Sequence, residues 1–482
     1  MGNESVGFKF MQSSPEEEGI SSGAILAFLE EADASQIELH SFYFARHGKV
    51  IAEGWWQPYS AQRPHTLYSL SKSFTSTATG FALGEKLISL DDAVISFFPE
   101  DLPADVSENL AEMKIRHLLS MSTGHAEDTT GYLHSNGTGN WAAAFLARPV
   151  DFPPGTHFVY NSGATYMVSA ILQKVTGSPV LEYLTPRLFD PLGIRNATWE
   201  SCPRGINTGG WGLSVKTEDI ARFGQLYLNN GILDGVRVLP EGWVEEASKS
   251  HISNGKDPDS DWSQGYGFQF WRSRYNTYRG DGAFGQFCII MPEQESVLAI
   301  TAGHGNMQEE LNLVWKHLLP AMKSEKLSKS NSEYQELQRT LSSLKRKTPE
   351  GSSSSTLEPG LSGKVYKFAE NDLNIDTVRF QFREEEGSIQ IRNEGGLQEI
   401  PFSKIGDWIE GAAALGDFKL QAIASSGTWT AQDAFVLDIC YTVTPYRTTL
   451  TFQFEDGKLQ LDWTINVSFG PTEKKRIAGY LQ

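Results

Sequence analysis

Cysteine is scarce: Cys202, Cys288 and Cys440 are the only three among 482 residues, widely separated and without C-x-x-C spacing. An odd, scattered set excludes a disulfide framework and a thiolate zinc site, and it suits a reducing compartment. Apolar runs of membrane-spanning length are also missing. The opening stretch MGNESVGFKFMQSSPEEEG has neither an apolar centre nor a small-residue cleavage site, so no secretory leader is expected. Basic residues are in deficit, 41 Lys and Arg against 59 Asp and Glu, for a formal net charge of −18. Phosphate backbones and anionic membranes need clustered cations, so neither nucleic acid nor membrane is an expected partner, and the acidity reads as solubility. The expectation is a soluble, cytoplasmic protein without metal or cofactor, its self-association left open.

What the chain does have is apolar bulk, 40% hydrophobic residues with 12 Trp and 27 Phe, over a length that calls for two domains. Ser21 to Ala34 carries helical periodicity, and Leu39 to Arg46 with Val50 to Trp56 reads as a hairpin turning at His47-Gly48-Lys49. Helical patterns follow from Ser69 to Glu85, Ser162 to Val175 and Thr217 to Asn230. Strand signals return at Tyr266 to Trp271, Gln286 to Met291 and Val297 to Thr301, ahead of a helix from Met307 to Met322. Early and late strands with helices between predict an α+β fold, a five-stranded antiparallel sheet with a helical insertion packed on it, over residues 1–322. Residues 323–357 read as a linker with a short amphipathic helix and a flexible serine-rich end. Residues 358–482 alternate with period two and turn at Asp456-Gly457, predicting an antiparallel barrel or sandwich.

Chemistry concentrates at Ser69-Leu70-Ser71-Lys72. On a helix, Ser69 and Lys72 share a face one turn apart, with the serine at the positive end. Ser-x-x-Lys also occurs at Ser253 and Ser342, but the first spans an Asn-Gly turn and the second lies on an exposed-looking helix. In isolation, Ser69 and Lys72 fit a helix cap and a solvated lysine equally well. Tyr160 sits at a loop-to-helix corner two residues before Ser162. A neighbouring ammonium would lower its phenol, making Tyr160 a general base toward Ser69 while Ser162 bonds Lys72 or substrate. The plainer alternative is a tyrosine that packs the corner. The third stretch, Arg279-Gly280-Asp281-Gly282-Ala283, is either an ordinary glycine-rich hairpin or a strand edge that approaches a ligand. In the second case the amides of Ala283 and Ser69 could hold an oxyanion.

Together these stretches resemble the penicillin-recognising serine hydrolases: class C β-lactamases, DD-peptidases, family VIII-type esterases and 6-aminohexanoate-dimer hydrolases. The resemblance rests on Ser69-Leu70-Ser71-Lys72 as Ser-x-x-Lys, Tyr160-Asn161-Ser162 as the tyrosine motif, and Gly280-Asp281-Gly282 at the Lys-Thr-Gly position. It implies the β-lactamase/transpeptidase-like fold and acyl transfer through Ser69, with Lys72 and Tyr160 as proton carriers. It also places Ala283, Ser162, Gly280, Asp281 and Gly282 around the oxyanion and substrate. The third motif departs from the family: its lysine is replaced by Gly280 and its hydroxyl residue by Asp281, which weakens the case for carboxylate-bearing ligands. The expected function is therefore hydrolysis of a small ester, amide or short peptide. The alternatives are a β-lactamase or D-Ala-D-Ala peptidase, or a catalytically idle binding protein.

Overall fold

The computed structural model describes residues 7–135, 137–416 and 418–482. Residues 1–6, part of the stretch read above for a leader, lie outside it. Its first sheet has seven strands: β1 (Met11–Gln12), β2 (Leu39–Arg46), β3 (Lys49–Trp55), β4 (Trp271–Arg272), β5 (Tyr278–Gly282), β6 (Gln286–Met291) and β7 (Ser296–Ala302), in the order β1-β3-β2-β7-β6-β5-β4. All pairings are antiparallel except β1 with β3. The sheet is thus wider than the five strands expected, by a two-residue strand at each edge. The β2–β3 hairpin turns at His47 and Gly48, both with positive φ (51° and 72°), the twist that matches a tight hairpin.

The late strands differ from the sequence expectation in one place. Tyr266 to Phe270 alternates like a strand but pairs into no sheet, and β5, read as part of a glycine-rich hairpin, is a full member of it. The carbonyls of Phe268 and Gln269 instead accept hydroxyls from Ser76 and Ser73, while the Gln269 amide donates to the carbonyls of Leu118 and Leu119. Its backbone is committed to a helix flank, so it cannot also join the ladder.

Helix α1 (Ser22–Ala34) is capped by the Ser21 hydroxyl and buries Ile25, Phe28, Leu29 and Ala32, one face at helical spacing, against the sheet. The other sheet face meets the insertion, whose centre is α2 (Ser71–Gly84). Every residue of α2 from Ser71 to Ala82 is buried. A helix so rich in Ser and Thr tolerates this because its hydroxyls donate to carbonyls: Thr75 to Gly209, Ser76 to Phe268, Thr77 to Ser73 and Thr79 to Thr75. Helix α3 (Ser162–Thr176) starts at an Asn161 cap and stops at Gly177 in the left-handed region, and α4 (Thr217–Leu228) packs between the insertion and the sheet. The helix expected from Met307 to Met322, α5, runs only from Met307 to Leu313; the chain then widens to a π turn and tightens to a 3-10 turn at Pro320.

Beyond it, Asn331–Ser342 forms a helix against α1 and β3, with Leu337 fully buried. The serine-rich segment after it is not free, because Ser352 exchanges two backbone hydrogen bonds with Trp429 at 2.8 and 2.9 Å. The C-terminal strands settle the choice between barrel and sandwich. Nine of them form a ring that closes where Gly396–Ser403 meets Gln421–Ala431 at Ser403 and Ser426, and Ile409–Ala413 pairs outside it. Phe380, Phe382, Phe402, Phe435, Phe452 and Trp429 fill its interior. Glu38, just before β2, pairs with Arg346 of the connector at 3.2 Å and with Arg447 of the barrel at 3.0 Å.

Candidate active site

Ser69 lies in a 3-10 turn, Tyr68–Leu70, immediately before α2, so the helix starts two residues later than the sequence pattern suggests. Tyr68 holds φ at +47°, a region that a bulky residue enters at a cost of roughly 1–3 kcal/mol. Contacts from the C-terminal domain and from the β5–β6 turn hold it there: its hydroxyl donates to Tyr446 at 2.7 Å, and its ring packs on Phe469 and on Phe284. The nucleophile candidate is therefore mounted on a turn that the C-terminal strands support.

Lys72, 1% exposed, reaches back one turn. Its Nζ donates to Ser69 Oγ at 3.1 Å, to Ser162 Oγ at 2.9 Å and to the Gly210 carbonyl at 2.8 Å. Burial pushes the amine down from 10.5 to about 7, against the opposing pull of Asp128 and Asp281. Tyr160 sets its ring 4.8 Å from the same Nζ and stacks on Trp271 at 5.2 Å. Burial raises its phenol well above the ordinary value. Asp281 adds to the rise, and a hydrogen bond with Ser69 opposes it. The phenol moves the opposite way from the lowering expected from Lys72, because burial outweighs it.

The structure brings together Ser69, Lys72, Tyr160, Ser162, Asp281 and Ala283, and all but Lys72 line one cavity of about 690 Å³. Gly280 and Gly282 are not part of its lining. They face α2 and the Ser69 turn, where a Cβ would lie 2.5 Å from Ser73 Oγ and 1.9 Å from the Leu67 carbonyl oxygen. Their role is to let β5 lie against the nucleophile turn, which brings Ala283 to the cavity. Arg279 is fully buried. It donates to the Asp261 carbonyl at 2.9 Å and pairs with Asp281 at 2.9 Å, while Trp262 covers its guanidinium at 4.5 Å.

A sequence profile of the Beta-lactamase family matches residues 28–315, more than half of the chain. This chain belongs to the Beta-lactamase family. Among its relatives, the 6-aminohexanoate-dimer hydrolase of Paenarthrobacter ureafaciens is 25% identical over 283 residues, covering 54% of this chain and 71% of that protein. The solved octameric penicillin-binding protein homologue from Pyrococcus abyssi is similar in fold over 95% of this chain and 99% of its own, with TM-score 0.51 and 14% identity. Its named relative is a hydrolase, which supports a hydrolase reading for a member of this family. The family match ends before the barrel, yet Phe469 from the barrel lines the cavity.

Several cavity residues carried no sequence signal. Asp128, Trp211, Trp262 and Trp271 are isolated in the chain and converge only through the fold. His125, in contrast, is buried against Phe145 and bonds Thr123, so it packs. Among the described residues no group of three His, Cys, Asp or Glu could hold a metal ion, and no helix is long and apolar enough to cross a membrane.

Proposed function

We propose that this protein is a serine hydrolase that works through an acyl-enzyme on a small ester, amide or short peptide. One observation carries the reading: a buried amine, brought down to about 7, lies 3.1 Å from the hydroxyl of a serine at the floor of a cavity. Ser69 Oγ attacks the carbonyl carbon, and its proton passes to neutral Lys72. The amides of Ser69 and Ala283 hold the oxyanion, and Tyr160, protonated throughout the neutral range, relays the proton to the leaving group as the tetrahedral carbon collapses. Water then repeats the sequence and releases the acid, Lys72 again taking the proton. Ser162 and the Gly210 carbonyl keep the amine aimed at the serine.

The β-lactamase and D-Ala-D-Ala peptidase alternatives need a cation for the ligand carboxylate. Arg279, the residue that could stand in for the missing lysine, is fully buried outside the cavity lining and pairs with Asp281 at 2.9 Å, which speaks against them. The test is covalent labelling with a fluorophosphonate. One equivalent should attach to Ser69 and none to Ser69→Ala; an unlabelled wild type that also fails to turn over p-nitrophenyl esters would overturn the reading.

A further inference from the structure

We propose that Asp128 is a specificity-determining residue that makes the cavity select substrates carrying an ammonium group over neutral or carboxylate-bearing ones. The proposal rests on the serine-hydrolase reading above. Asp128 lies at the cavity wall, exposed, and its Oδ1 accepts three hydrogen bonds: from the Ser162 amide at 3.0 Å, the Thr130 amide at 3.1 Å and the Thr130 hydroxyl at 2.7 Å. These bonds fix the side chain without adding a positive charge, and the carboxylate remains aimed where substrate passes on its way to Ser69. Through Ser162 it stands next to Lys72, whose amine it also influences.

The remaining walls fit the same ligand. Trp211, Trp262, Trp271 and Tyr160 line the cavity, and the rings of Tyr160 and Trp271 stack. Aromatic faces attract cations through their quadrupole, and ammonium groups in particular. A carboxylate entering the same space would meet Asp128 and Asp281. Of the basic groups nearby, Arg279 is buried and pairs with Asp281, Lys72 is held by Ser69, Ser162 and the Gly210 carbonyl, and His134 packs edge-on against Trp211. The two carboxylates disfavour an anion in this space.

The experiment compares kcat/KM for three p-nitrophenyl esters: that of γ-(trimethylammonio)butyrate, its uncharged isostere with carbon in place of nitrogen, and the half-ester of glutarate. At low salt the cationic ester should exceed the neutral isostere by about tenfold, the size of one partly screened charge pair plus one cation–π contact. The glutarate ester should fall below the isostere. In Asp128→Asn the cationic-to-neutral ratio should move toward one. If that variant does not fold, the wild-type ratio must still shrink as salt is raised through the Debye range, and a ratio indifferent to salt overturns the proposal. A wild-type ratio at or below one, with the isostere hydrolysed and Ser69 labelled, overturns the charge preference and leaves the hydrolase reading standing. Failure of all three esters together with failure of labelling brings down both.

Discussion

The burial of Lys72 makes a prediction that separates the two candidate bases. A lysine at its ordinary 10.5 is neutral in about three molecules in ten thousand at pH 7, whereas one at about 7 is neutral in half of them, a gain of about a thousandfold in competent base. The neutral amine is the active form, so log kcat/KM for a p-nitrophenyl ester, followed at the nitrophenol isosbestic wavelength, should rise with unit slope below about pH 7 and level off above it. If Tyr160 supplied the base as phenolate, the rise would continue past pH 10, because burial and Asp281 both raise that phenol. Lys72→Arg keeps a cation that cannot give up its proton, and kcat should drop by about 10³. Stability carries the same signature with a defined sign. The folded value lies below the unfolded 10.5, so the penalty is absent above 10.5, grows as pH falls through that window and is complete below about 7. Its size is on the order of 5 kcal/mol at neutral pH, offset in part by the three hydrogen bonds of the amine. Lys72→Met should therefore be inactive yet melt no lower than wild type at pH 7. A profile that is flat or rises only above pH 10, or Lys72→Arg within tenfold of wild type, refutes the assignment.

Four further outcomes follow from the geometry. Tyr160→Phe keeps the ring on Trp271 and loses only the hydroxyl, so steady-state kinetics should show kcat lower by about 10³ with KM nearly unchanged. Gly282→Ala puts a Cβ 1.9 Å from the Leu67 carbonyl oxygen and should cost about 1–3 kcal/mol in urea unfolding while slowing fluorophosphonate labelling of Ser69. Phe469→Ala removes a 76% exposed ring that closes one side of the cavity; kcat/KM for medium-chain esters should fall about three- to tenfold with little change in Tm. Glu38→Gln leaves Arg346 and Arg447 without their shared carboxylate and should destabilise the protein by about 3 kcal/mol or more. The Glu38 carboxyl is held well below its usual 4.5, so that stabilisation is full above pH 4.5 and is lost as acid titrates the folded group; a denaturation midpoint unmoved between pH 7 and 3 would count against it.

How far the sequence could be read depended on whether a signal was local. Ser69 and Lys72 were legible because a three-residue spacing across a helical turn fixes their own geometry, and the β character of the C-terminal domain was legible because alternation at Val378, Phe380 and Phe382 needs no tertiary information, whereas its closure into a barrel does. The Phe268-Gln269 segment was misread because its alternating pattern fits a strand, while its hydrogen bonds go to α2 hydroxyls far away in sequence. The glycines of β5 suggested close approach, but to a ligand; what approaches is the Leu67 carbonyl and the side chains of Leu70 and Ser73. Asp128, Trp211 and Trp262 are single loop residues and Trp271 opens β4, and only the fold gives them a common neighbour. The support of Tyr68 by Tyr446 and Phe469 joins positions some four hundred residues apart, beyond the reach of any window.

The division of labour between amine and phenol follows from one physical cause acting on groups of opposite charge type. Removing water disfavours whichever form is charged: for Lys72 that is the protonated form, and for Tyr160 the deprotonated one. The same enclosure therefore frees a lone pair on the lysine and locks the proton on the tyrosine, and each residue becomes fit for one half of a proton relay and unfit for the other. Asp281 strengthens the tyrosine half, raising the phenol further; burial raises that carboxylate's own proton affinity, and the Arg279 pair opposes the rise. Asp281→Asn would remove that contribution and the phenol would fall, so the kcat/KM plateau above pH 7 should end at a lower alkaline pH than in wild type. A plateau that ends at the same pH in both would show that Asp281 does not set the tyrosine's proton affinity.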